Sequence, residues 1–262
     1  MTPTTFLNAK AGGRKLSMAT CYDYTFARLL AKSPVDGILV GDSAAMVVHG
    51  HATTLTATLP MMELHVAAVA RGAGDKLVVA DMPFLSFRKG VTAAMDAAHT
   101  LMAAGAHALK LEGVVGHEDV IERLVRSGIP VMGHVGLQPQ SVKAYGGFKI
   151  QGRDGESALE IARNARALEE LGAFAVVIEC VPAELAEQIS LALTIPTIGI
   201  GAGAGCDGQI LVLQDLLGLN SDFRPRFARA FFEGEGPLVE ALGRFDRAVK
   251  ESSFPSLEES FS

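Results

Sequence analysis

The sequence predicts an α/β protein with the (β/α)8, or TIM-barrel, architecture. Short runs of apolar and β-branched residues occur eight times, and stretches with helical spacing lie between most of them. These runs show little alternation of apolar and polar residues, which is typical of parallel strands covered on both faces. A length of 262 residues suits one barrel. An open doubly wound sheet is the alternative, because the same order of strands and helices would produce it.

The eight predicted strands are spread along most of the chain. They are 17–20, 37–41, 77–81, 108–112, 130–134, 175–179, 197–200 and 209–213. Most spacings allow the crossover of a dozen or so residues that joins parallel strands. The last strand follows the seventh by only about ten residues. Either a helix is missing there or the eighth strand is misplaced.

Helical spacing and end signals predict the helices. Pro60 opens a helix over 60–71, and glycines follow the helices that end near residues 104, 127 and 171. The segment 136–154 is long and rich in glycine, so we expect a functional loop. We expect one domain, 1–262, with a more charged tail from about 223 to 262 that contains a helix over 238–251.

Composition and charge exclude several classes of protein. The chain has 23 Lys and Arg against 29 Asp and Glu, a net charge of −6, and no basic stripe, which argues against nucleic-acid binding. Its apolar runs are far shorter than the ~20 residues of a membrane span, and no signal peptide is visible. Its three cysteines cannot all pair with one another. We therefore expect a cytoplasmic protein in a reducing compartment.

Four acidic residues lie at the last position of a predicted strand or one beyond it: Asp42, Asp81, Glu112 and Glu179. A single acid there is usually a helix cap, but the strands of a parallel barrel all end at one face. Carboxylates brought together repel unless a cation or shared protons compensate. Oxygen ligands favour Mg²⁺, Mn²⁺ or Ca²⁺ over zinc. Such a metal could polarise a bound α-keto acid and stabilise its enolate.

Two further side chains belong to the same predicted face. Lys110 lies two residues before Glu112, so both side chains point the same way. Lys110 could neutralise a substrate carboxylate, form a Schiff base, or pair with a structural acid. His134 ends the fifth predicted strand and could be a structural histidine, a substrate contact or a neighbour of the metal ligands.

The glycine-rich run 199–205 has the spacing of a weak dinucleotide-binding pattern through Gly208. A strand-like segment follows it where that motif requires a helix. We therefore expect the glycines to allow a close approach of the backbone to a ligand or to the barrel.

Several short motifs occur together in a fixed order. They are Met18-Ala19-Thr20-Cys21-Tyr22-Asp23, Val40-Gly41-Asp42-Ser43, Ala80-Asp81-Met82-Pro83-Phe84, Lys110-Leu111-Glu112-Gly113, Gly133-His134-Val135-Gly136-Leu137, Pro139-Gln140-Ser141, Gly146-Gly147-Phe148-Lys149, Gln151-Gly152-Arg153, Glu179-Cys180-Val181-Pro182, Gly199-Ile200-Gly201-Ala202-Gly203 and Cys206-Asp207-Gly208-Gln209. In this number and order they resemble the ketopantoate hydroxymethyltransferase family. One stretch, 51–58, departs from the family pattern, because it lacks an acid at Ala52 and a proline at Thr56.

The resemblance implies a barrel of the phosphoenolpyruvate/pyruvate type. It also implies transfer of a hydroxymethyl group from 5,10-methylenetetrahydrofolate to 3-methyl-2-oxobutanoate, and a homo-oligomer that is a decamer in the family. The implied roles are Mg²⁺ binding for Asp42, Asp81 and Glu112, keto-acid binding for Asp42, Ser43, Asp81 and Lys110, and proton acceptance for Glu179.

Two other functions fit the same strand-end acids. A Mg²⁺-dependent carbon–carbon lyase or phosphonomutase would use the same barrel, metal and α-keto acid. A non-catalytic barrel that binds a metal and a metabolite would need the metal carboxylates but not Glu179.

Overall fold

The computed structural model describes residues 1–220, 224–232, 234 and 236–262. Its eight parallel strands form a closed barrel in the order β1 to β8. The strands are β1 (Leu16–Thr20), β2 (Gly37–Val40), β3 (Leu77–Asp81), β4 (Ala108–Lys110), β5 (Val131–Gly136), β6 (Ala175–Glu179), β7 (Thr197–Ile200) and β8 (Gly208–Leu211). The predicted (β/α)8 fold is confirmed.

Pairing between the first and last strands decides between the two predicted architectures. β8 pairs with β7 on one side and with β1 on the other, with Leu16 opposite Gly208 and Met18 opposite Ile210. The open doubly wound alternative is therefore wrong. The predicted fourth strand ends two residues early, at Lys110, and the fifth extends two residues further, to Gly136.

Helices cover the outside of the barrel. Those in the described part of the chain are α1 (Pro3–Ala11), α2 (Tyr24–Lys32), α3 (Ala44–Val47), α4 (Leu59–Gly72), α5 (Val91–Ala103), α6 (Glu118–Arg126), α7 (Gly155–Glu170), α8 (Ala183–Ala192), α9 (Leu213–Leu216) and α10 (Leu238–Lys250). Local chemistry sets their starts: the side chains of Asp23, Thr58 and Asp154 accept hydrogen bonds from the first turns of α2, α4 and α7. Among the described residues, no helix is both long enough and apolar enough to cross a membrane.

The predicted tail at 223–262 contains α10, which packs against β1 and α2. Phe223, Glu233 and Glu235 of that tail lie outside the described residues.

The connection between β7 and β8 has no helix, which resolves the short spacing seen in the sequence. A Cβ at Gly203 would lie 2.4 Å from the Cβ of Ala183, and one at Gly205 would lie 2.6 Å from the Cβ of Glu187. Real Cβ atoms do not approach this closely, so glycine lets the connection pack directly on α8.

The inside of the barrel is filled at its N-terminal end. The side chain of Phe6, on α1, is fully buried, and its ring contacts that of Phe174 edge-on, with 6.2 Å between the centroids. Met18, Val79 and Met132 pack in the same cluster. Because this end is closed by side chains, the C-terminal end of the strands is the one with room for a ligand.

Candidate active site

A cavity of about 380 Å³ lies at the C-terminal end of the barrel strands. The side chains that line it include all seven residues singled out from the sequence: Asp42, Ser43, Asp81, Lys110, Glu112, His134 and Glu179. Each of them ends a strand or follows one closely, except His134, which lies within the longer β5. Parallel strands therefore bring together acids that are far apart in sequence.

Asp81 and Lys110 form a buried ion pair. They are opposite each other in the β3–β4 register, and Lys110 Nζ donates to Asp81 Oδ1 at 2.6 Å. Burial alone lowers the pKa of Lys110, but Asp81 and the other carboxylates outweigh it and raise the pKa above its ordinary value. A protonated amine is not nucleophilic, so this pairing disfavours the Schiff-base alternative.

Gln140 joins two of the acids, and sequence reasoning did not assign it a role. Its side-chain amide donates to Asp42 Oδ2 at 2.9 Å and to the carbonyl of Met82 at 3.0 Å. Its backbone N–H donates to Glu112 Oε2 at 2.9 Å. It lies in a short 3₁₀ turn, Pro139–Ser141, within the predicted functional loop. Its place in the Pro139-Gln140-Ser141 motif was the only signal in the sequence.

His134 lies between Glu112 and Glu179. Its Nε2 is 3.2 Å from Glu179 Oε2, and its Nδ1 is 3.7 Å from Glu112 Oε1. Neither ring nitrogen is aligned for a hydrogen bond, and Glu112 Oε1 is buried without a partner among the described residues. Burial, together with the nearby Lys110 charge, lowers the pKa of His134 well below its usual range, so the imidazole is neutral.

The carboxylates themselves are held in an unfavourable environment. Burial raises the pKa of Asp42 to about 7, and the charge of Asp81 adds to the rise. Burial and the charge of Asp42 raise the pKa of Glu112 well above its ordinary value. Burial raises the pKa of Glu179 to about 8, although Lys110 opposes the change. One lysine is thus too little positive charge for this group of acids.

The Ser43 side chain, at the start of α3, is held by Tyr22, a second residue to which the sequence analysis assigned no role. Its hydroxyl is 2.8 Å from the hydroxyl of Tyr22, which is also buried. A Cβ at position 41 would lie 2.8 Å from Ser43 Oγ, so a larger residue there would displace the Ser43 hydroxyl. In the stretch that departs from the family pattern, Thr54 lines the cavity, and its buried hydroxyl has no partner in the described part of the chain.

The donor chemistry fits a hard divalent cation. Asp42, Asp81 and Glu112 supply carboxylate oxygens, and one oxygen of Glu112 is buried and unpaired among the described residues. Over residues 1–220, 224–232, 234 and 236–262, no group of three or more His, Cys, Asp or Glu side chains is arranged so that it could hold a metal ion. Lys110 and Gln140 each occupy one carboxylate oxygen, on Asp81 and Asp42 respectively. Such an incomplete set suits Mg²⁺, which usually keeps water and substrate oxygens among its ligands.

Comparison with known proteins extends over almost the whole chain. The model of the family described as ketopantoate hydroxymethyltransferase matches residues 1–257. The chain belongs to this family. A 3-methyl-2-oxobutanoate hydroxymethyltransferase from Bdellovibrio bacteriovorus is 54% identical over 257 residues, which cover 98% of each chain. The enzyme of the same name from Coxiella burnetii is 52% identical, over 97% of this chain and 96% of its relative.

Solved structures with the same fold are more distant. A phosphonopyruvate hydrolase superposes with a TM-score of 0.62 at 15% identity, covering 99% of this chain and 93% of its own. A 2,3-dimethylmalate lyase superposes with a TM-score of 0.58 at 16% identity, covering 96% and 97%. These structural similarities show the fold. The evidence for the ketopantoate hydroxymethyltransferase family comes from the family model and the sequence relatives. The predicted family, and with it the hydroxymethyltransferase class of enzyme, is confirmed.

Proposed function

We propose that this chain transfers a hydroxymethyl group from 5,10-methylenetetrahydrofolate to 3-methyl-2-oxobutanoate and so forms 2-dehydropantoate. The proposal rests on one observation, which is that the buried acids have different partners. Gln140 joins Asp42 to Glu112, and Lys110 pairs with Asp81. Neither Gln140 nor Lys110 forms a hydrogen bond with the Glu179 side chain, which lies beside a neutral imidazole and is therefore available as a base.

Asp42, Asp81 and Glu112 would hold Mg²⁺. Their excess negative charge and the unpaired oxygen of Glu112 among the described residues support this assignment. Bound Mg²⁺ would supply positive charge to the substrate's keto oxygen and so stabilise the negative charge that develops there when a proton leaves C3. A phosphonopyruvate hydrolase of the same fold forms a complex with oxalate and Mg²⁺, which are ligands of the same chemical kinds.

Lys110 and Ser43 would orient the keto acid. The ion pair with Asp81 keeps Lys110 charged and fixed in the cavity wall, where it can attract the substrate carboxylate. The Ser43 hydroxyl is held by Tyr22 and lines the same cavity. Fixing both groups before the substrate binds lowers the entropic cost of orienting it.

Glu179 would accept the proton from C3. Its side chain is 16% exposed, at the cavity wall, so the substrate can reach it. A carboxylate with a pKa near 8 is a stronger base than an ordinary glutamate, which suits removal of a weakly acidic proton. The neutral His134 beside it adds no positive charge that would lower this basicity. His134 would therefore leave the proton of C3 to Glu179.

The overall reaction balances with one molecule of water. The C3–H bond breaks and a bond forms between C3 and the methylene carbon of the folate. The bonds from that carbon to the folate nitrogens break, and water supplies the oxygen of the new hydroxymethyl group. The C3 proton and the two hydrogens of water end on the product hydroxyl and the two nitrogens of tetrahydrofolate.

The lyase or phosphonomutase and the non-catalytic barrel are the competing hypotheses. Relatives that are 48–54% identical and cover nearly the whole chain favour the transferase. Product formation that depends on methylenetetrahydrofolate would separate it from a lyase. Exchange of the C3 proton would distinguish the transferase from a non-catalytic barrel.

The test is exchange of the C3 proton of 3-methyl-2-oxobutanoate in D₂O with Mg²⁺, followed by NMR. Glu179→Gln keeps the size of the side chain but removes the base, so exchange should fall by ~10²-fold or more while keto-acid binding persists. Glu184→Gln, at an exposed position on α8, is the matched control. Undiminished exchange in the Glu179 variant would show that Glu179 is not the base that accepts the C3 proton.

Assembly, location and domain organisation complete the proposal. The family resemblance supports a homo-oligomer, and specifically a decamer, which light scattering after size-exclusion chromatography would measure.

Cys21, Cys180 and Cys206 are buried and free, which suits the reducing cytoplasm. The packing of α10 on β1 and α2 supports a single domain that includes the C-terminal tail.

A further inference from the structure

The loop between β3 and α5 carries an arginine that reaches the backbone of a candidate metal ligand. Arg88 lies in this loop, and its Nη2 donates to the backbone carbonyl of Glu112 at 2.9 Å. The side chain of Arg88 is exposed at the surface and does not line the cavity. Any contact between Arg88 and the site therefore passes through the backbone of Glu112.

The backbone of Glu112 lies two residues beyond the end of β4, which has only three residues. On the side of β5, backbone hydrogen bonds continue past that end. The N–H of Leu111 donates to the carbonyl of Met132 at 3.1 Å, and the N–H of Gly113 donates to the carbonyl of His134 at 2.9 Å. Successive residues of a strand direct their backbone groups to alternate neighbours, so the carbonyl of Glu112 faces β3 instead.

On the side of β3, the backbone ladder stops one step earlier. The N–H of Met82 donates to the carbonyl of Lys110 at 2.9 Å. The next acceptor on this side is the carbonyl of Glu112, but a turn that begins at Pro83 takes the chain away from β4. The guanidinium of Arg88 then donates to this carbonyl, so a side chain takes the place of the next backbone donor.

The turn that presents Arg88 is held by other contacts as well. Leu85, within the turn, has φ of 60°, a conformation that persists only where the surroundings hold it. The ring of Phe87 is fully buried and lies 5.0 Å, between centroids, from the ring of His117, which directly precedes α6. Because this aromatic contact does not involve Arg88, replacement of Arg88 should leave the turn in place.

We infer that Arg88 is a positioning residue that holds the backbone of Glu112 and so keeps the Glu112 carboxylate at the cation site. The inference rests on the proposed function for the role of Glu112 in binding Mg²⁺. Gln140 fixes one oxygen of this carboxylate, and Arg88 fixes the backbone from which the side chain projects. A ligand that is already held in place loses less conformational freedom when the ion binds, which raises the affinity.

The experiment compares three variants of the full chain. Arg88→Met keeps an unbranched apolar side chain and removes the donors and the charge. Arg88→Lys keeps the charge and one group that can donate to the carbonyl of Glu112. Lys89→Met is the matched control, because it removes the same charge from the next position in the chain, which is also exposed.

Three measurements separate the backbone from the metal and from the chemistry. Titration with Mn²⁺, read by electron paramagnetic resonance, gives the metal affinity. Hydrogen–deuterium exchange of the metal-free chain, read by mass spectrometry over residues 111–117, reports on the backbone around Glu112 without any ligand. Exchange of the C3 proton of 3-methyl-2-oxobutanoate at saturating Mn²⁺ reports on Glu179.

We expect Arg88→Met to weaken Mn²⁺ binding about tenfold. Amide exchange over residues 111–117 should become faster, because the backbone has lost a hydrogen bond. The C3 exchange at saturating Mn²⁺ should stay within about twofold, since Arg88 does not contact the base. Arg88→Lys should recover part of the lost affinity, and Lys89→Met should change none of the three quantities.

Two results would overturn the inference. One is an unchanged Mn²⁺ affinity in Arg88→Met, even with faster amide exchange, because the backbone contact would then not serve the cation. The other is an equal loss of affinity in Lys89→Met, because the effect would then come from charge alone.

The wild-type chain distinguishes this inference from the proposed function. Equal binding of Mn²⁺ by the wild-type chain and by Arg88→Met would overturn the inference and leave the proposed function standing. A wild-type chain that binds no Mn²⁺ would overturn the proposed metal site. Faster amide exchange in Arg88→Met would in that case still support Arg88 as the anchor of the Glu112 backbone, and equal exchange would overturn that as well.

Discussion

Buried carboxylates occur at both ends of the barrel, but only one end satisfies them. At the N-terminal end, Asp36 accepts from Arg14 at 2.8 Å and from the backbone N–H of Ser17 at 3.0 Å. Asp246, on α10, accepts from the hydroxyl of Ser17 at 2.6 Å and pairs with Lys250. At the C-terminal end, Glu112 Oε1 and both ring nitrogens of His134 have no partner among the described residues.

This contrast indicates a separate role for each end of the barrel. A buried polar group with all its hydrogen bonds made holds the fold in one arrangement, and one that lacks them costs free energy. That cost is tolerated where a ligand later supplies the missing partner. Changes at the two ends should therefore affect different quantities: ligand binding at the C-terminal end and folding stability at the N-terminal end.

The largest effect on binding is expected from Asp81→Asn. This change removes a charge that holds Lys110 and would hold Mg²⁺, but it keeps the size of the side chain. Mg²⁺-dependent binding of 3-methyl-2-oxobutanoate should weaken by ~10²-fold or more, because a metal carboxylate is lost. Calorimetry measures this directly. Asp96→Asn, on an exposed face of α5, should bind normally. Unchanged binding in the Asp81 variant would remove that residue from the metal site.

The matching change at the other end is Asp36→Ala. It leaves the Ser17 backbone N–H and the Arg14 guanidinium without their buried acceptor, so the free energy of unfolding should fall by about 2–4 kcal/mol. Urea titration measures the loss. Exchange of the C3 proton per folded molecule should stay within twofold, and Asp96→Ala should change neither quantity. Loss of exchange with intact stability would contradict the contrast between the two ends.

Gln140→Ala should have an intermediate effect. The side-chain amide orients Asp42 and does not itself supply a carboxylate to the cation. Removal of a group that orients a metal ligand typically lowers metal affinity by about 10–100-fold. Titration with Mn²⁺ in place of Mg²⁺, read by electron paramagnetic resonance, measures this affinity. Gln188→Ala, exposed on α8, serves as the reference. Equal affinity in the two variants would mean that Gln140 only packs.

The stability of the metal-free protein should depend on pH through Glu179. Burial raises its pKa from 4.5 to about 8, so the folded state keeps a proton that the unfolded state has lost. Stability should therefore fall as pH rises from about 4.5 to 8, and Glu179→Gln should reduce this slope. Urea midpoints in the presence of a chelator, at several pH values, measure the effect. Glu184→Gln should keep the original slope, and stability that rises over this range would contradict the assignment.

The smallest effect is expected at Cys180, directly after Glu179. Its backbone has φ of 47°, in the left-handed region that disfavours residues with a Cβ. Cys180→Gly should therefore be more stable than Cys180→Ala by about 1 kcal/mol. Both variants lack the thiol, so their difference isolates the backbone. A Gly variant that is less stable than the Ala variant would mean that no strain is held beside the base.

The sequence predicted the strands and strand-end acids well because both are local features. Apolar runs such as Gly37–Val40 and Ala175–Glu179 mark strands by themselves, and the acids at or just after the ends of such runs line the cavity at the C-terminal end of the barrel. Closure of the barrel depends on the pairing of Leu16 with Gly208, which are distant in sequence. The local pattern therefore left the open sheet as an alternative.

The partners of the acids were harder to predict for a physical reason. Gln140 reaches Glu112 through its backbone N–H, and every residue except proline has that group. Tyr22 reaches Ser43 across the ends of two strands, which no spacing within one strand can reveal. Helix α1 was not predicted from the sequence. It is held by the packing of Phe6 against Phe174, a contact between residues that are distant in sequence.

The double attachment of Gln140 has a consequence for ligand binding. The loop that follows β5 carries Gln140 near its start and Phe148 further along, and Gln140 is tied to Asp42 and Glu112. By thermodynamic reciprocity, a ligand that favours one arrangement of these carboxylates also favours the loop conformation that goes with it. The keto acid and the bulkier donor should then each strengthen the binding of the other by the same factor, which calorimetry can measure.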